Sequence, residues 1–120
     1  MKGLFDTNIL IDYLNGVDDA RNEISLYEQI YISPITWMEV MVGVSANEEK
    51  SVRKFLERFV LVEIDFEVAE KSDTLRKTHK IKLPDAIIWA SANKIGALLV
   101  SRNSKDFPET DPCIRVPYSI

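Results

Sequence analysis

The chain has 120 residues, 46% of them hydrophobic and 28% charged, with a formal net charge of −4. That length suits one domain with its own core, and no apolar run approaches the roughly 20 residues that span a bilayer. One cysteine (Cys113) and one histidine (His79) exclude an intrachain disulfide, a Cys-cluster zinc site and His-rich metal chemistry, and the acidic balance gives no general reason to bind nucleic acid.

Short apolar runs alternate with longer amphipathic stretches, as expected of an α/β domain with a mainly parallel sheet of four to five short strands. No leader with a cleavage site is visible, so a cytoplasmic location is expected. The first strand runs from Lys2 to Asp6. A helix follows with Ile9, Leu10, Tyr13 and Leu14 on one stripe, closed by Gly16. Asp18 can cap a second helix through Glu28. Ile30-Tyr31-Ile32 reads as a strand, broken at Ser33-Pro34, with Thr36 placed to cap the next helix. That helix has a buried stripe of Trp37, Val40, Met41 and Val44. Asn47 restarts a helix bearing Val52, Phe55, Leu56 and Phe59, and Leu61-Val62-Glu63-Ile64 reads as a strand. Phe66 to His79 is amphipathic, with Val68, Ala69, Ser72 and Leu75 inward. Pro84 suits the first turn of a helix that Gly96 closes. Ala97 to Ser101 is the fourth strand, and Ile114-Arg115-Val116, flanked by prolines, fits an edge strand.

The chemistry lies in where the acids fall. Asp6 stands at the carboxyl end of the first strand, where open α/β sheets bind ligands. Glu39 and Asp85 are expected in the first turns of two later helices that follow strands or strand-like segments. Each acid alone has a structural explanation, as a cap or a partner of the helix dipole. Together, on one edge of a parallel sheet, they form a cluster. Two carboxylates about 4 Å apart repel by about 4 kcal/mol at an effective dielectric near 20, so such a cluster takes up protons or a cation. All-oxygen ligands suit Mg²⁺ or Mn²⁺. Ser101-Arg102-Asn103-Ser104-Lys105-Asp106-Phe107, after the fourth strand, offers Ser101 and Asn103 to orient water or phosphate and Asp106 as a further acid. It also reads as an Asx-type turn. Arg102 and Lys105 are candidates to neutralise phosphate. The densest basic stretch is Arg76 to Lys82, either a solvated helix end or an RNA-facing rim. Trp89, four residues after Asp85, is placed under the site or at a dimer contact.

Asp6-Thr7-Asn8, Glu39 within Ile35-Thr36-Trp37-Met38-Glu39-Val40, Leu83-Pro84-Asp85-Ala86-Ile87-Ile88, and Leu99-Val100-Ser101-Arg102-Asn103-Ser104-Lys105-Asp106-Phe107 occur in one order along nearly the whole chain. In these pieces the sequence resembles the PIN-domain ribonucleases, most of all the VapC toxins of type II toxin–antitoxin systems. The resemblance implies a three-layer PIN-like fold with Asp6, Glu39 and Asp85 as ligands of Mg²⁺ or Mn²⁺ and as catalytic residues with Asp106. Thr7 and Asn8 would brace Asp6, beside Ser101 and Asn103. It also implies cleavage of RNA, a homodimer, and inhibition by a small VapB-like antitoxin. Many relatives carry an acid where Asn103 stands, so a second metal position is the weaker expectation. Three other functions fit parts of the pattern. A phosphoacceptor receiver domain has the same size and an acidic Mg²⁺ pocket, but here Asp6 lacks an acidic neighbour and Asp65 lacks the matching acidic pair. A metal-free binding module would leave the clustered acids uncompensated. A DNA-directed nuclease uses the same acids.

Overall fold

The computed structural model describes residues 1–120. In chain order the elements are β1 (Lys2–Phe5), α1 (Thr7–Leu14), α2 (Asp18–Ser25), β2 (Gln29–Ile32), α3 (Pro34–Val42), α4 (Glu49–Leu56), β3 (Val60–Leu61), α5 (Phe66–His79), α6 (Leu83–Ile95), β4 (Leu98–Val100) and β5 (Ile114–Arg115). All neighbouring strands pair in parallel, in the order β3-β2-β1-β4-β5. β1 is therefore central, and it places successive side chains on opposite faces of the sheet. Leu4 joins a cluster with Val68 and Leu75 of α5 and Ile88 and Trp89 of α6. Phe5 joins a second cluster with Ile9 and Leu10 of α1, Ile24 of α2, Val40 of α3 and Phe55 of α4. The result is three layers, with α5 and α6 on one face and α1 to α4 on the other.

The chain leaves β1 toward β2 on one side, while β4 fills the other. This reversal makes the carboxyl ends of β1 and β4 the crevice of the sheet. The strand order also differs from the 2-1-3-4-5 order of flavodoxin-like folds such as receivers. Gly3 is required by a close approach: a Cβ there would lie 2.8 Å from the Tyr27 ring, which packs under β1.

Several boundaries differ from the sequence expectation. Ser33, not Thr36, caps α3, accepting from Ile35 N at 3.1 Å, because Pro34 takes the first helical position and has no N–H to satisfy. Thr36 is fully buried inside the helix. Glu39 consequently lies in the second turn, and the first turn of α3 holds no acid. In the same helix Val40 is buried, whereas Trp37 and Met41 are only half-buried, as is Val44 just beyond it. The second helix stops at Ser25, freeing Tyr27 to pack on Gly3. Residues before Glu49 form a turn, so Asn47 does not open α4. β3 is only Val60–Leu61; Val62 still donates its N–H to Ile32 O at 3.0 Å while its side chain enters the core beside α5, and Glu63 and Ile64 lie outside the strand. Ala69 faces solvent. α5 spans the expected residues and ends on Lys80, whose φ of 55° is a left-handed cap, as is that of Gly96 after α6.

Candidate active site

Asp6 caps α1 directly after β1, and its backbone N–H extends the β4 pairing by donating to Val100 O at 2.9 Å. Its side chain is 5% exposed. Oδ1 accepts from Thr7 N at 2.8 Å, and Oδ2 accepts from Ser101 Oγ at 2.7 Å and Asn8 Nδ2 at 3.1 Å. All these donors are neutral. Burial pushes the Asp6 carboxyl above its ordinary range despite the Ser101, Thr7 and Asn8 hydrogen bonds, and the Glu39 charge adds to the rise.

Thr7, one residue on, turns its hydroxyl to the next carboxylate. Oγ1 donates to Glu39 Oε1 at 2.6 Å and lies 3.2 Å from Thr36 Oγ1. The exposed Glu39 is thereby tied across α1 and α3 to the peptide that follows Asp6. Asp85 enters from the first turn of α6, half-buried. Partial burial and then the charges of Asp6, Asp106 and Glu39 push its carboxyl up to about 6, against the opposing charge of Lys82. Its protonation thus registers all three other acids, which α1, α3, α6 and the loop after β4 bring into one electrostatic field.

That loop is tied to the same centre. Ser101 is fully buried, and its Oγ accepts from Asn103 N at 2.9 Å while donating to Asp6. Asn103 and Asp106 are joined reciprocally: Asn103 Nδ2 donates to Asp106 Oδ2 at 3.0 Å, and Asp106 N donates to Asn103 Oδ1 at 3.2 Å. The Asx-type turn and the placement of Asp106 beside the site are therefore one structure. Phe107 is fully buried and meets Trp89 edge-on, anchoring the loop to α6. Trp89 itself is 2% exposed, between Phe107 and His79, so it lies within the core and not at a contact surface.

Arg102 does not face the acids as a phosphate-neutralising cation. Its guanidinium makes a two-pronged pair with Asp12 of α1, at 2.6 and 3.1 Å, and Tyr118 Oη donates to the same carboxylate at 2.9 Å. Its backbone N–H donates to Asn8 Oδ1 at 3.1 Å. Lys105 is exposed and makes no ion pair. Asp65 caps α5 through Val68 N and pairs with Lys94, a structural role.

The sequence did not reveal the contact of Thr36 with Thr7, nor Asp12, Tyr118 or the Glu23–Arg115 pair. Asp12 carried one signal, an acid in the apolar run Ile9-Leu10-Ile11, spaced four residues from Asn8 on the same helix face.

No group of three or more His, Cys, Asp or Glu side chains is arranged to hold a metal ion outright. The donor chemistry still fits a hydrated hard cation, since Mg²⁺ takes one or two carboxylates and keeps several waters. Asp6 and Asp85, both raised by burial and by like charges, are groups that a cation would return to the ionised form.

The PIN domain family matches residues 4–111. Among solved structures, the fold is similar to a chain of a toxin–antitoxin complex from Klebsiella pneumoniae, at 44% identity and a TM-score of 0.93, covering 98% of this chain and 99% of that one. It is similar to a chain of VapBC2 from Rickettsia felis bound to a promoter DNA fragment, at 26% identity and a TM-score of 0.79 over 95% and 96% of the two chains. DNA-bound VapBC from Salmonella typhimurium gives 25% identity and a TM-score of 0.77 over 96% of each chain. No curated protein matches the sequence.

Proposed function

The chain belongs to the PIN domain family, and from that premise we propose that it is the nuclease of a VapC-type toxin–antitoxin pair, hydrolysing RNA phosphodiester bonds with Mg²⁺ or Mn²⁺. One observation carries the proposal: Asp6 is buried at the centre of the sheet's carboxyl edge with only neutral donors around it and the Glu39 charge acting on it, while Asp85 beside it feels Asp6, Asp106 and Glu39. A buried acid bonded only by neutral donors and facing further carboxylates provides a seat for a cation from solution.

Asp6, Glu39 and Asp85 are the residues that would hold the ion, with Asp106 as the fourth acid. The chemistry such an ion supplies is polarisation of a phosphate and a lowered pKa for bound water. The chain's own residues fix the acids. Ser101, Asn8 and the Thr7 peptide hold the Asp6 carboxylate in one orientation, Thr7 Oγ1 holds Glu39, and Asn103 holds Asp106. Lys82, whose charge opposes the rise at Asp85, begins a cationic rim toward an incoming polyanion. A small VapB-like antitoxin partner is supported by the similarity to chains of toxin–antitoxin and VapBC complexes. A homodimer and a cytoplasmic location complete the proposal, and no helix is long and apolar enough to cross a membrane.

The test is cleavage of a labelled single-stranded RNA panel with Mg²⁺, Mn²⁺ or EDTA, beside Asp6→Asn and Asp85→Asn. Cutting that needs the metal and disappears in both folded variants is the expected result. Equal cutting by the variants, or cutting in EDTA, would refute the carboxylate mechanism, and a DNA panel run in parallel decides between the two nucleic acids.

A further inference from the structure

Seven residues beyond Asp6, near the far end of α1, the Tyr13 ring stacks on Phe55 of α4 with centroids 4.5 Å apart and planes within 9°. Two guanidinium groups close on this pair. Arg58 lies 5.9 Å from the Tyr13 centroid and 5.7 Å from that of Phe55, and its Nη1 is 3.3 Å from Tyr13 Oη. Arg21 of α2 lies 6.0 Å from the Tyr13 centroid. Tyr13, Phe55 and Arg58, with Ser51, Lys54 and Glu57, line an open surface cavity of about 520 Å³.

These cations differ from most other arginines of the chain. Arg53, Arg102 and Arg115 are each tied to a carboxylate, whereas Arg21, Lys54 and Arg58 form no ion pair. A guanidinium resting on an aromatic ring is held in place without a carboxylate partner, and Arg58, which gives one N–H to Tyr13 Oη, keeps its other N–H groups for phosphate. The cavity also shares Ser51 with a groove that reaches toward the site. Ser51 lines a second groove between α1, α3 and α4, which passes Leu14 and Val40 to reach Glu39. From Asp6 to Tyr13 the helix advances about 10 Å, a span of about three nucleotides in a stacked strand. Between the two ends the groove holds Glu39 and Glu48 and no cation. A polyanion crossing it therefore needs its grip at the Arg58 end.

We infer that Arg58, Lys54 and Arg21 form a phosphate-binding ledge that holds the backbone of an RNA strand about three nucleotides from the phosphate presented to Asp6, Glu39 and Asp85. The identity of the strand as RNA rests on the nuclease function proposed above; the ledge rests on the cations and the groove.

Binding can be read without cleavage. The probe is a fluorescein-labelled, 2′-O-methylated RNA octamer in EDTA, titrated by anisotropy between 50 and 250 mM salt. It is compared with a trimer and between the parent protein and Lys54→Gln/Arg58→Gln. The parent should bind the octamer more tightly than the trimer. The double variant should lose that advantage, with an octamer Kd about tenfold higher and a log–log salt slope shallower by about 1.4, from about 0.7 per phosphate contact on a single strand. Lys54→Gln with Arg21→Gln leaves the Arg58–ring contact intact and carries the test if Arg58→Gln disturbs the fold. Unchanged Kd and slope in folded variants would overturn the ledge, as would a parent that binds neither oligonucleotide. If instead an acidic octapeptide binds and loses affinity in the variants while RNA does not, the cations serve a protein partner and the inference fails. A parent that binds RNA as expected yet cuts nothing in the cleavage panel would refute the nuclease and leave the ledge standing.

Discussion

Asp6 and Asp12 lie at opposite ends of α1, both 5% exposed, and they are solved in opposite ways. Asp12 is met by the two-pronged Arg102 guanidinium and by Tyr118 Oη. Glu23, 4% exposed on α2, is met in the same manner by Arg115 at 2.5 and 2.8 Å and by Tyr27 Oη at 2.7 Å. Burial alone would raise the Glu23 carboxyl, but the Arg115 and Tyr27 bonds outweigh it and hold the group below its ordinary range. Asp6 has only a hydroxyl, an amide side chain and a peptide N–H, and burial wins. The chain thus has arginines to neutralise buried acids and places them at Asp12 and Glu23, leaving the Asp6 edge without one. Depth of burial does not distinguish the neutralised acids from Asp6; the partner does.

The sharpest way to break this contrast is at the uncompensated acids. Asp85→Asn should lower the metal-dependent cleavage rate by about 10²–10³-fold, the usual effect of losing an electrostatic contact to the reacting group, while leaving a cooperative thermal transition. A rate within a few-fold of the parent would place Asp85 outside the chemistry.

At the compensated acids the expected loss is of stability. Arg102→Ala or Arg115→Ala strands a buried carboxylate and should cost about 3 kcal/mol, toward the lower end for broken buried pairs because both guanidinium groups reach solvent. Urea denaturation measures this, and a loss below about 1 kcal/mol would show that water takes over from the arginine. Since the Arg102–Asp12 pair anchors the loop in which Asn103 holds Asp106, its loss should slow cleavage as well, whereas Arg115→Ala should leave cleavage by the folded protein near parental.

The two classes should also separate in pH. The folded carboxyl of Asp85 lies near 6, above the roughly 3.9 of an unfolded chain. Its proton therefore favours the folded state fully below about pH 4, and that contribution is lost as pH rises through about 6. In EDTA, the stability of the parent relative to Asp85→Asn should fall across that window, and Mn²⁺ at pH 7 should restore it. Glu23 has the opposite sign, its contribution being lost as pH falls below the ordinary carboxylate range. A parent-to-variant difference flat from pH 4 to 7 would contradict the electrostatic coupling of Asp85 to Asp6. The smallest effect expected is that of Tyr118→Phe, which removes one hydrogen bond to Asp12 while Arg102 remains, and should cost about 1 kcal/mol in the same denaturation assay.

Much of the site was legible in the chain because local rules place it. Asp6 follows an apolar strand and caps the next helix, Asp85 follows Pro84 in a first helical turn, and Ser101-Arg102-Asn103 follows the last buried strand. A strand–helix boundary is set by nearby residues, and a parallel sheet then carries such boundaries to one edge. Glu39 is legible as an acid near the start of the helix after Ser33-Pro34, but not its turn, because Ser33 and Thr36 are both good caps and only packing selects between them. The fate of Arg102 was misread for a different reason. Its partner Asp12 lies 90 residues away, and a guanidinium in a loop carries no local sign of the carboxylate it will meet.

The sequence by itself determined the alternation of elements, the mainly parallel sheet and the residues that end the strands at the crevice, since periodicity, caps and turn residues act over a few positions. Only the tertiary structure decided which acids are neutralised and which are left exposed to one another's charge. Pairings such as Arg102–Asp12 and Arg115–Glu23, and the field that joins Asp85 to Asp6, Asp106 and Glu39, join positions far apart in the chain and form only when the layers pack.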